Sequence, residues 1–431
     1  METEKKRFYL TCLLLGVLSA HFINLIAVRT LNLIGLPFSR HFLWVEFYTM
    51  GMAFFMSLNL TLFFVYVFEP PDTNRPPLPG DDELPTVSVV VPAYNEERGI
   101  GRAIECILEN DYPKDKLEVI VVDDGSTDKT AEIASRYPVR LIRNKKNLRR
   151  GGAIYEGIKN AKGDIVITID ADTYPQKGAL RYLSSEFQDD NVGAVCGFLI
   201  PTESRGFLGR QQTVEYLLGF AYNKHLRANT GWMLIPSGAF SAYRRELLED
   251  SNPIDTLAED FDMGLHVHKK GYELKYAPWA KARTEVPLTM RGYLRQRLRW
   301  SLGGLQVLAK HRDMMMSKQK LSVGFWGLPY HYIIGYVIPP MELLGIAMLP
   351  VLPLFSQISW STVTGLFFWL LLIKLYSLTV LIPARKYAQR ITGIRIPFRH
   401  LFEYWFVYYY LLLITVLTGL ITYMERGDCE W

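Results

Sequence analysis

The chain has 431 residues, with 48 lysines and arginines against 43 aspartates and glutamates, a formal charge of +5. Apolar residues make up 49% and aromatic residues 13%, enough to build a core, so disorder is excluded. The four cysteines (Cys12, Cys106, Cys196, Cys429) lie far apart with no C-x-x-C spacing, which excludes a disulfide scaffold and indicates no zinc site; so diffuse a positive charge makes no case for nucleic acid.

The mean hydropathy of +0.06 averages two apolar ends and a charged middle. A bilayer helix needs about 20 mostly apolar residues. Residues 8–28 and 43–68 meet that length and composition. The first follows the basic start Lys5-Lys6-Arg7. A cleaved signal peptide is the other reading of it, but no convincing small-residue cleavage site is present and a second span follows soon after. Residues 70–85 (PPDTNRPPLPGDDELP) form a Pro-rich linker and mark a boundary.

Strands and helices then alternate. Apolar, β-branched runs at 86–92, 117–122, 138–142 and 164–169 predict strands, and 96–110, 128–137 and 150–162 predict helices between them. Short apolar runs separated by helices indicate a mostly parallel sheet. Ligands of such sheets bind beyond the carboxyl ends of the strands. Acidic clusters fall at those ends.

The first cluster is Val91-Pro92-Ala93-Tyr94-Asn95-Glu96 with Asp123-Asp124 at the next strand end. No G-x-G-x-x-G and no G-x-x-x-x-G-K-S/T accompanies it, so dinucleotide and P-loop readings lack their glycines. A carboxylate there can bind a base imide or a ribose hydroxyl, or Asp124-Gly125 can simply make a turn. The second cluster is Asp170-x-Asp172. Two carboxylates one residue apart where the chain turns can converge on one hard cation, Mg²⁺ or Mn²⁺, which takes oxygen ligands and bridges phosphates. The third is Ala258-Glu259-Asp260-Phe261-Asp262, leading into a helix. These acids either favour the helix N-terminus electrostatically or make Asp260 a general base. His266 and His268, two apart, do not suit two ligands on one helix face and read as surface residues, and no Ser/Cys–His arrangement supports a hydrolase.

The fourth feature is Gln296-Arg297-Leu298-Arg299-Trp300, where Gln296, Arg299 and Trp300 share a helix face at spacings of three and four. Guanidinium groups can neutralise a departing pyrophosphate and an indole face can stack on a sugar. A basic-aromatic interfacial helix is the alternative.

Apolar stretches resume at 325–352, 360–382 and 402–424, giving a two-plus-three arrangement of spans around a polar domain. Lys and Arg near the spans set orientation. Lys5, Lys6 and Arg7, with Arg385, Lys386, Arg390, Arg395 and Arg399 in the connector 384–400, place the N-terminus, the middle domain and that connector inside; Arg29 and Arg40 weakly oppose this. Residues 384–400, and less clearly 306–320, read as interfacial segments. Glu342 and Lys374 fall inside spans, where charges pair or face a polar cavity.

The ordered set resembles the family-2, inverting, A-type glycosyltransferases of the membrane-integrated processive kind, which include cellulose, chitin, hyaluronan and poly-N-acetylglucosamine synthases. The resemblance covers about residues 86–310, and the Gln296–Trp300 pentapeptide matches the family's Q-(Q/R)-x-R-W element. It implies an α/β catalytic domain of the GT-A type, with a mostly parallel, Rossmann-like sheet, inserted between two N-terminal and about three C-terminal transmembrane helices. The expected division is 1–69 (two spans), 70–85 (linker), 86–312 (cytoplasmic catalytic domain) and 313–431 (interfacial segments and three spans).

Carried over by motif, the resemblance implies that Pro92, Ala93, Tyr94, Glu96 and Asp124 hold the nucleotide, joined by Asp170, and that Asp170 and Asp172 bind the diphosphate and its Mg²⁺ or Mn²⁺. Glu259 and Asp260 are the catalytic acidic pair, with Asp260 at the base position and Ala258 in place of the family's threonine. Ser237 and Gly238 sit where the family places its acceptor-end motif; Arg297 and Arg299 would face the pyrophosphate; Trp300 and Gln296 would meet the acceptor. The G-K-A element appears as Gly151-Gly152-Ala153 after Arg149-Arg150, so its lysine is missing. No F-x-V-T-x-K motif follows Trp300, which argues against a bacterial cellulose synthase proper; the run Arg297–Gly304 looks closest to the poly-N-acetylglucosamine and hyaluronan group.

The implied activity is polymerisation of a sugar from a UDP-sugar, UDP-glucose or UDP-N-acetylglucosamine, by one in-line displacement that gives a β-linkage, with export of the growing polysaccharide through the plasma membrane. The rivals are a single-addition enzyme acting on a polyprenyl phosphate or diacylglycerol, and a catalytically silent transporter or scaffold.

Overall fold

The computed structural model describes residues 73–251, 253–317, 321–351, 354 and 360–426. The predicted spans 8–28 and 43–68, with Cys12 and Cys429, lie outside the described residues. The chain divides into two compact units, one comprising Asn74–Pro339 and Tyr408–Trp431, the other including Pro340–Val407.

The first unit is built on an eight-stranded sheet in the order β3-β2-β1-β4-β7-β6-β8-β5. Its strands are β1 (Val87–Ala93), β2 (Leu117–Asp123), β3 (Arg140–Arg143), β4 (Ile165–Ile169), β5 (Thr173–Pro175), β6 (Val192–Pro201), β7 (Phe240–Arg244) and β8 (Glu273–Thr284). Helices α1 (Ile100–Leu108), α2 (Thr130–Ala134) and α3 (Arg149–Asn160) make the crossovers between β1, β2, β3 and β4. Strands so enclosed are apolar on both faces, and every residue of β1 and β4 is buried. The β1–β4 half is wholly parallel. The other half is mixed, because β7 runs antiparallel to both β4 and β6, and β5 antiparallel to β8.

Register brings the acidic motifs to one edge. Ala93 pairs with Asp123, and Val90 pairs with Thr168, so Pro92 and Asp170 both lie two residues past that last pair. The antiparallel β7 enters the sheet at this same edge, with Phe240 opposite Ile169, which sets Gly238 and Ala239 beside Asp170. The Asp170 amide donates to the Ala239 carbonyl at 3.3 Å.

The Pro-rich segment is fastened to the sheet domain. The buried Arg181 of α4 (Ala179–Ser185) donates to the Pro79 carbonyl at 2.9 Å and to Asp81 at 2.5 Å, and Lys116 donates to the Asp81 and Leu84 carbonyls. Three further helices matter for the site: α5 (Gly206–Leu218), α6 (Glu259–Lys269) and α7 (Met290–Lys310). His268 of α6, read from sequence as a surface residue, is buried; its Nε2 lies 2.8 Å from the Met233 carbonyl and its Nδ1 3.1 Å from that of Tyr272. His266 does reach the surface, beside Asp250.

Two helices among the described residues are long and apolar enough to cross a membrane: α8 (Ser322–Met348) and, after α9 (Trp360–Thr392), α10 (Phe398–Glu425). They cover most of the predicted span at 325–352 and all of that at 402–424. Helix α9 covers 360–382 but continues through Pro383 to Thr392, so the basic segment 384–400 is not one connector. Its first half prolongs α9, Gly393 at φ +73 stops the helix, and Arg385 ties back to the Ile396 carbonyl at 2.6 Å. Within the second unit Lys374 and Glu342 form an ion pair at 3.0 Å, with the Lys374 ammonium 4.8 Å from the centre of the Trp405 ring. Of the two expectations for these charges, pairing or facing a polar cavity, the pair is present.

Candidate active site

The site assembles where β1, β2, β4 and the β7 entrance end. Asp124 is almost fully buried and accepts hydrogen bonds from Asn144 at 2.8 Å and from the Leu148 amide at 2.9 Å, so it pins the loop that leads into α3. Its own amide donates to the Ala93 carbonyl. Tyr94, by contrast, is 45% exposed. Asn95, at φ +56, and Glu96 are stitched to the loop after β2 through Ser126, Thr127 and Thr130. Pro92, Ala93, Tyr94, Glu96 and Asp124 therefore lie together at the carboxyl ends of β1 and β2.

At the centre lies a residue the sequence reading passed over. Arg150, in the first turn of α3, donates through Nε and one terminal nitrogen to Asp170 at 2.8 and 2.5 Å. It also donates to the Gly238 carbonyl at 2.6 Å and pairs with Glu259. One guanidinium thus joins the D-x-D turn, the Ser237-Gly238 loop and the start of α6. The signal was present: the element lacking its lysine carries arginines immediately before its glycines. Arg150→Ala is expected to lower turnover on the order of 10²-fold, and Arg150→Lys to recover only part, because an ammonium lacks the planar fork that spans separate acceptors. Sugar-nucleotide turnover measures this, and wild-type rates in Arg150→Ala would refute it.

Asp260 stands opposite. Its Oδ2 accepts the Gly238 amide at 2.9 Å and its Oδ1 the Phe261 amide at 2.9 Å, so backbone fixes both oxygens. A Cβ on residue 238 would come within 3.2 Å of both Arg150 and Asp260, which is why glycine suits this place. Ser237 is held by reciprocal bonds with Ser241. Glu259, expected beside Asp260 as a catalytic group, is buried and committed to Arg150. Its geometry is that of a positioning residue.

The two arginines of α7 part company. Residues two apart on a helix are turned about 200° from each other. Arg299 faces the cluster: burial and neighbouring Arg150 pull its guanidinium pKa down, opposed by the charges of Asp170 and Asp260. Arg297 points the other way, into a bidentate pair with Glu215 of α5 at 2.5 and 2.6 Å, and is 6% exposed. The expectation that both face a pyrophosphate is corrected for Arg297. Its guanidinium lies 4.4 Å from the Trp300 ring centre, so it supports the indole. Trp300 remains 37% exposed. The side-chain oxygen of Gln296 is buried and lacks a hydrogen-bond partner among the described residues.

The acidic turn has a donor set fit for a hard cation. Burial, then Asp170, Glu96 and Glu285, push Asp172 up to about 8; burial, then Asp170, Glu285 and Asp128, push Glu96 to about 7. Such crowding of carboxylates is relieved by positive charge. Among the described residues no three acidic, histidine or cysteine side chains form a ready-made cage. Mg²⁺ and Mn²⁺ are cations that one or two such carboxylates could hold together with substrate phosphate. Glu285, another residue missed in the sequence, reaches this turn because its amide donates to the Asp172 carbonyl.

Residues 88–251 match the sequence profile of glycosyl transferase family 2. The chain is a glycosyltransferase with a family-2 domain. It is 28% identical over 303 residues to the poly-β-1,6-N-acetyl-D-glucosamine synthase of Staphylococcus aureus (strain COL), covering 69% of this chain and 73% of that protein. It is 29% identical over 291 residues to the synthase of the same name from Staphylococcus epidermidis, covering 65% and 70%. Among solved structures, a mannosyltransferase from Pyrobaculum calidifontis in complex with GDP-mannose and Mn²⁺ superposes with a TM-score of 0.61 at 22% identity, covering 86% of this chain and 97% of that one. That likeness establishes the GT-A type, Rossmann-like α/β fold of this glycosyltransferase.

Proposed function

We propose that this glycosyltransferase is a membrane-embedded polysaccharide synthase that extends a β-linked chain from UDP-N-acetylglucosamine by inverting, in-line displacement. The observation that carries the reading is the convergence of Asp260, Gly238, Arg150, Asp170 and Arg299 at one sheet edge, with Trp300 on the same helix as Arg299. The names of the staphylococcal relatives support N-acetylglucosamine as the donor sugar, ahead of glucose.

In this reading Asp260 takes the proton from the acceptor hydroxyl as its oxygen attacks the anomeric carbon. The backbone amides of Gly238 and Phe261 keep the carboxylate aimed. Arg299 offers charge to the departing diphosphate, and Arg150 holds Asp170 and the Gly238 loop in register. Pro92, Ala93, Tyr94, Glu96 and Asp124 form the nucleotide rim; Ser237, Gln296 and Trp300 face the acceptor. Asp170 and Asp172 would hold Mg²⁺ or Mn²⁺, which when bound neutralises diphosphate charge.

The catalytic region, residues 86–312, is cytoplasmic in this reading, and the spans on either side carry the polymer across the plasma membrane. The apolar helices α8 and α10 support membrane association. Purified protein in lipid, offered UDP-N-acetylglucosamine, UDP-glucose, UDP-glucuronate and GDP-mannose in turn, should release nucleotide fastest from the first and make long chains. One sugar per lipid molecule would overturn the polymerase reading in favour of single addition to a lipid, and preference for another donor would overturn the donor assignment.

A further inference from the structure

Helix α7 has two working faces, and one of them is not accounted for by substrate. Successive residues of a helix turn by about 100°. Residues 299, 303, 306 and 310 therefore fall within a narrow stripe, while Arg297, Ser301, Gly304 and Leu308 lie on the opposite side. The opposite side is packing. Arg297 meets Glu215, Tyr336 donates to the Ser301 carbonyl at 3.1 Å, and a Cβ at Gly304 would strike the Tyr336 hydroxyl.

The Arg299 stripe meets the segment that carries Asp260, at three successive levels. At Gly303 the two backbones touch: an added Cβ would lie 2.7 Å from the Ala258 nitrogen and 2.7 Å from the Leu257 carbonyl carbon. One turn on, the Gln306 side-chain oxygen accepts the Leu257 amide at 3.0 Å. At the end of the helix Lys310 donates to Asp262 at 2.7 Å and lies 3.6 Å from Asp255, while His311 Nε2 sits 2.5 Å from the other Asp262 oxygen. Burial alone would raise the Asp262 carboxyl; hydrogen bonds from His311 and Lys310 outweigh it and hold the pKa below its ordinary value. Asp255, Leu257, Ala258 and Asp262 bracket Glu259 and Asp260 on both sides. A Gln reaching a loop amide and a carboxylate clamped between an ammonium and an imidazole are specific contacts, whereas simple packing needs neither.

We infer that the Gly303, Gln306 and Lys310 stripe of α7, with His311 just past the helix end, is a positioning template for Asp260, fixing the base relative to Arg299 on the same helix. Both reacting-end groups are thereby set by one rigid rod, so donor and acceptor geometry cannot drift independently. The inference rests on the reading of Asp260 as the base.

The test uses the full-length protein in lipid and three measurements: turnover, UDP binding and thermal unfolding. Gln306→Ala should lower kcat about tenfold, with UDP affinity unchanged, and Gln306→Glu, which keeps an acceptor oxygen, should restore most of it. Gly303→Ala should lower kcat further, since backbone must move to admit the methyl. In an Asp260→Asn background Gln306→Ala should have no additional effect, because the group it positions is gone. Unchanged kcat in Gln306→Ala, failure of Gln306→Glu to rescue, or a full additional loss in the Asp260→Asn background would each overturn the template. A fully active Asp260→Asn protein would instead overturn the base assignment, and is read separately.

Discussion

Asp260→Asn is expected to lower kcat by about 10³-fold or more, within reach of what a lost general base costs, while UDP binding stays within about twofold of the native protein. The geometry makes this sharper than a motif match. Both oxygens of Asp260 accept backbone amides, from Gly238 and from Phe261, and Arg150 and Arg299 lie close enough for their charges to be felt. Asparagine preserves the shape but cannot take a proton. The competing account of the acidic run before α6 is that it favours the helix N-terminus. That role is worth about 0.3–1 kcal/mol of stability and nothing in turnover. The same substitution therefore separates the two: a small shift in unfolding with turnover intact removes Asp260 from the base role. Steady-state UDP release together with UDP titration decides it. Glu259→Gln offers the internal contrast. Its carboxylate is buried against Arg150, so its loss should disturb the centre through Arg150 rather than remove the proton acceptor.

What the sequence made legible, and what it hid, divides along physical lines. The runs Val87–Ala93, Leu117–Asp123 and Ile165–Ile169 were readable because strands covered on both faces are mostly apolar and β-branched, broken only by Ser88, Glu118 and Thr168 before the acidic ends. Their acidic ends were readable because parallel strands share a carboxyl edge. The strands from Thr173 onward were not assigned. β8 mixes Lys275, Lys281 and Arg283 among buried residues, and β7 reverses direction between β4 and β6, a pairing no local pattern announces. Arg150 was visible only as a departure from a motif. Its importance comes from reaching Asp170, Gly238 and Glu259, residues 20 to 109 positions away. The separation of Arg297 from Arg299 needed only the helical period, but which of the two faced the site depended on where Glu215 lay. The burial of His268 likewise depended on the Met233 carbonyl, far off in the chain.

The second large effect is expected at that Glu215–Arg297 pair, and its readout is stability first. Arg297 is 6% exposed, its guanidinium is gripped in two parallel hydrogen bonds, and Tyr408 donates to the second Glu215 oxygen at 2.7 Å. The pair ties α5 and α7 to Tyr408 of α10. Removing one partner of a buried pair strands the other charge and costs roughly 3–5 kcal/mol. Glu215→Ala should therefore lower the thermal midpoint strongly, as should Arg297→Ala. Replacing both at once, Glu215→Leu with Arg297→Met, removes the stranded charge and should recover most of the stability. Activity separates this role from a direct one. If Arg297 serves as a structural strut beneath Trp300, the stabilised double variant should bind UDP normally, and any loss should appear in acceptor use, because the ring loses the guanidinium at 4.4 Å. If Arg297 instead touched the diphosphate, the double variant would be stable yet bind UDP weakly. Arg299→Met supplies the reference for that second behaviour. It should weaken nucleotide handling with little change in the midpoint, since the charges it feels, Asp170 and Asp260, keep Arg150 and the Gly238 amide as partners when it is lost. Two arginines one residue apart from adjacency would then have been shown to do different physical work, one holding the helix and the other serving the reaction.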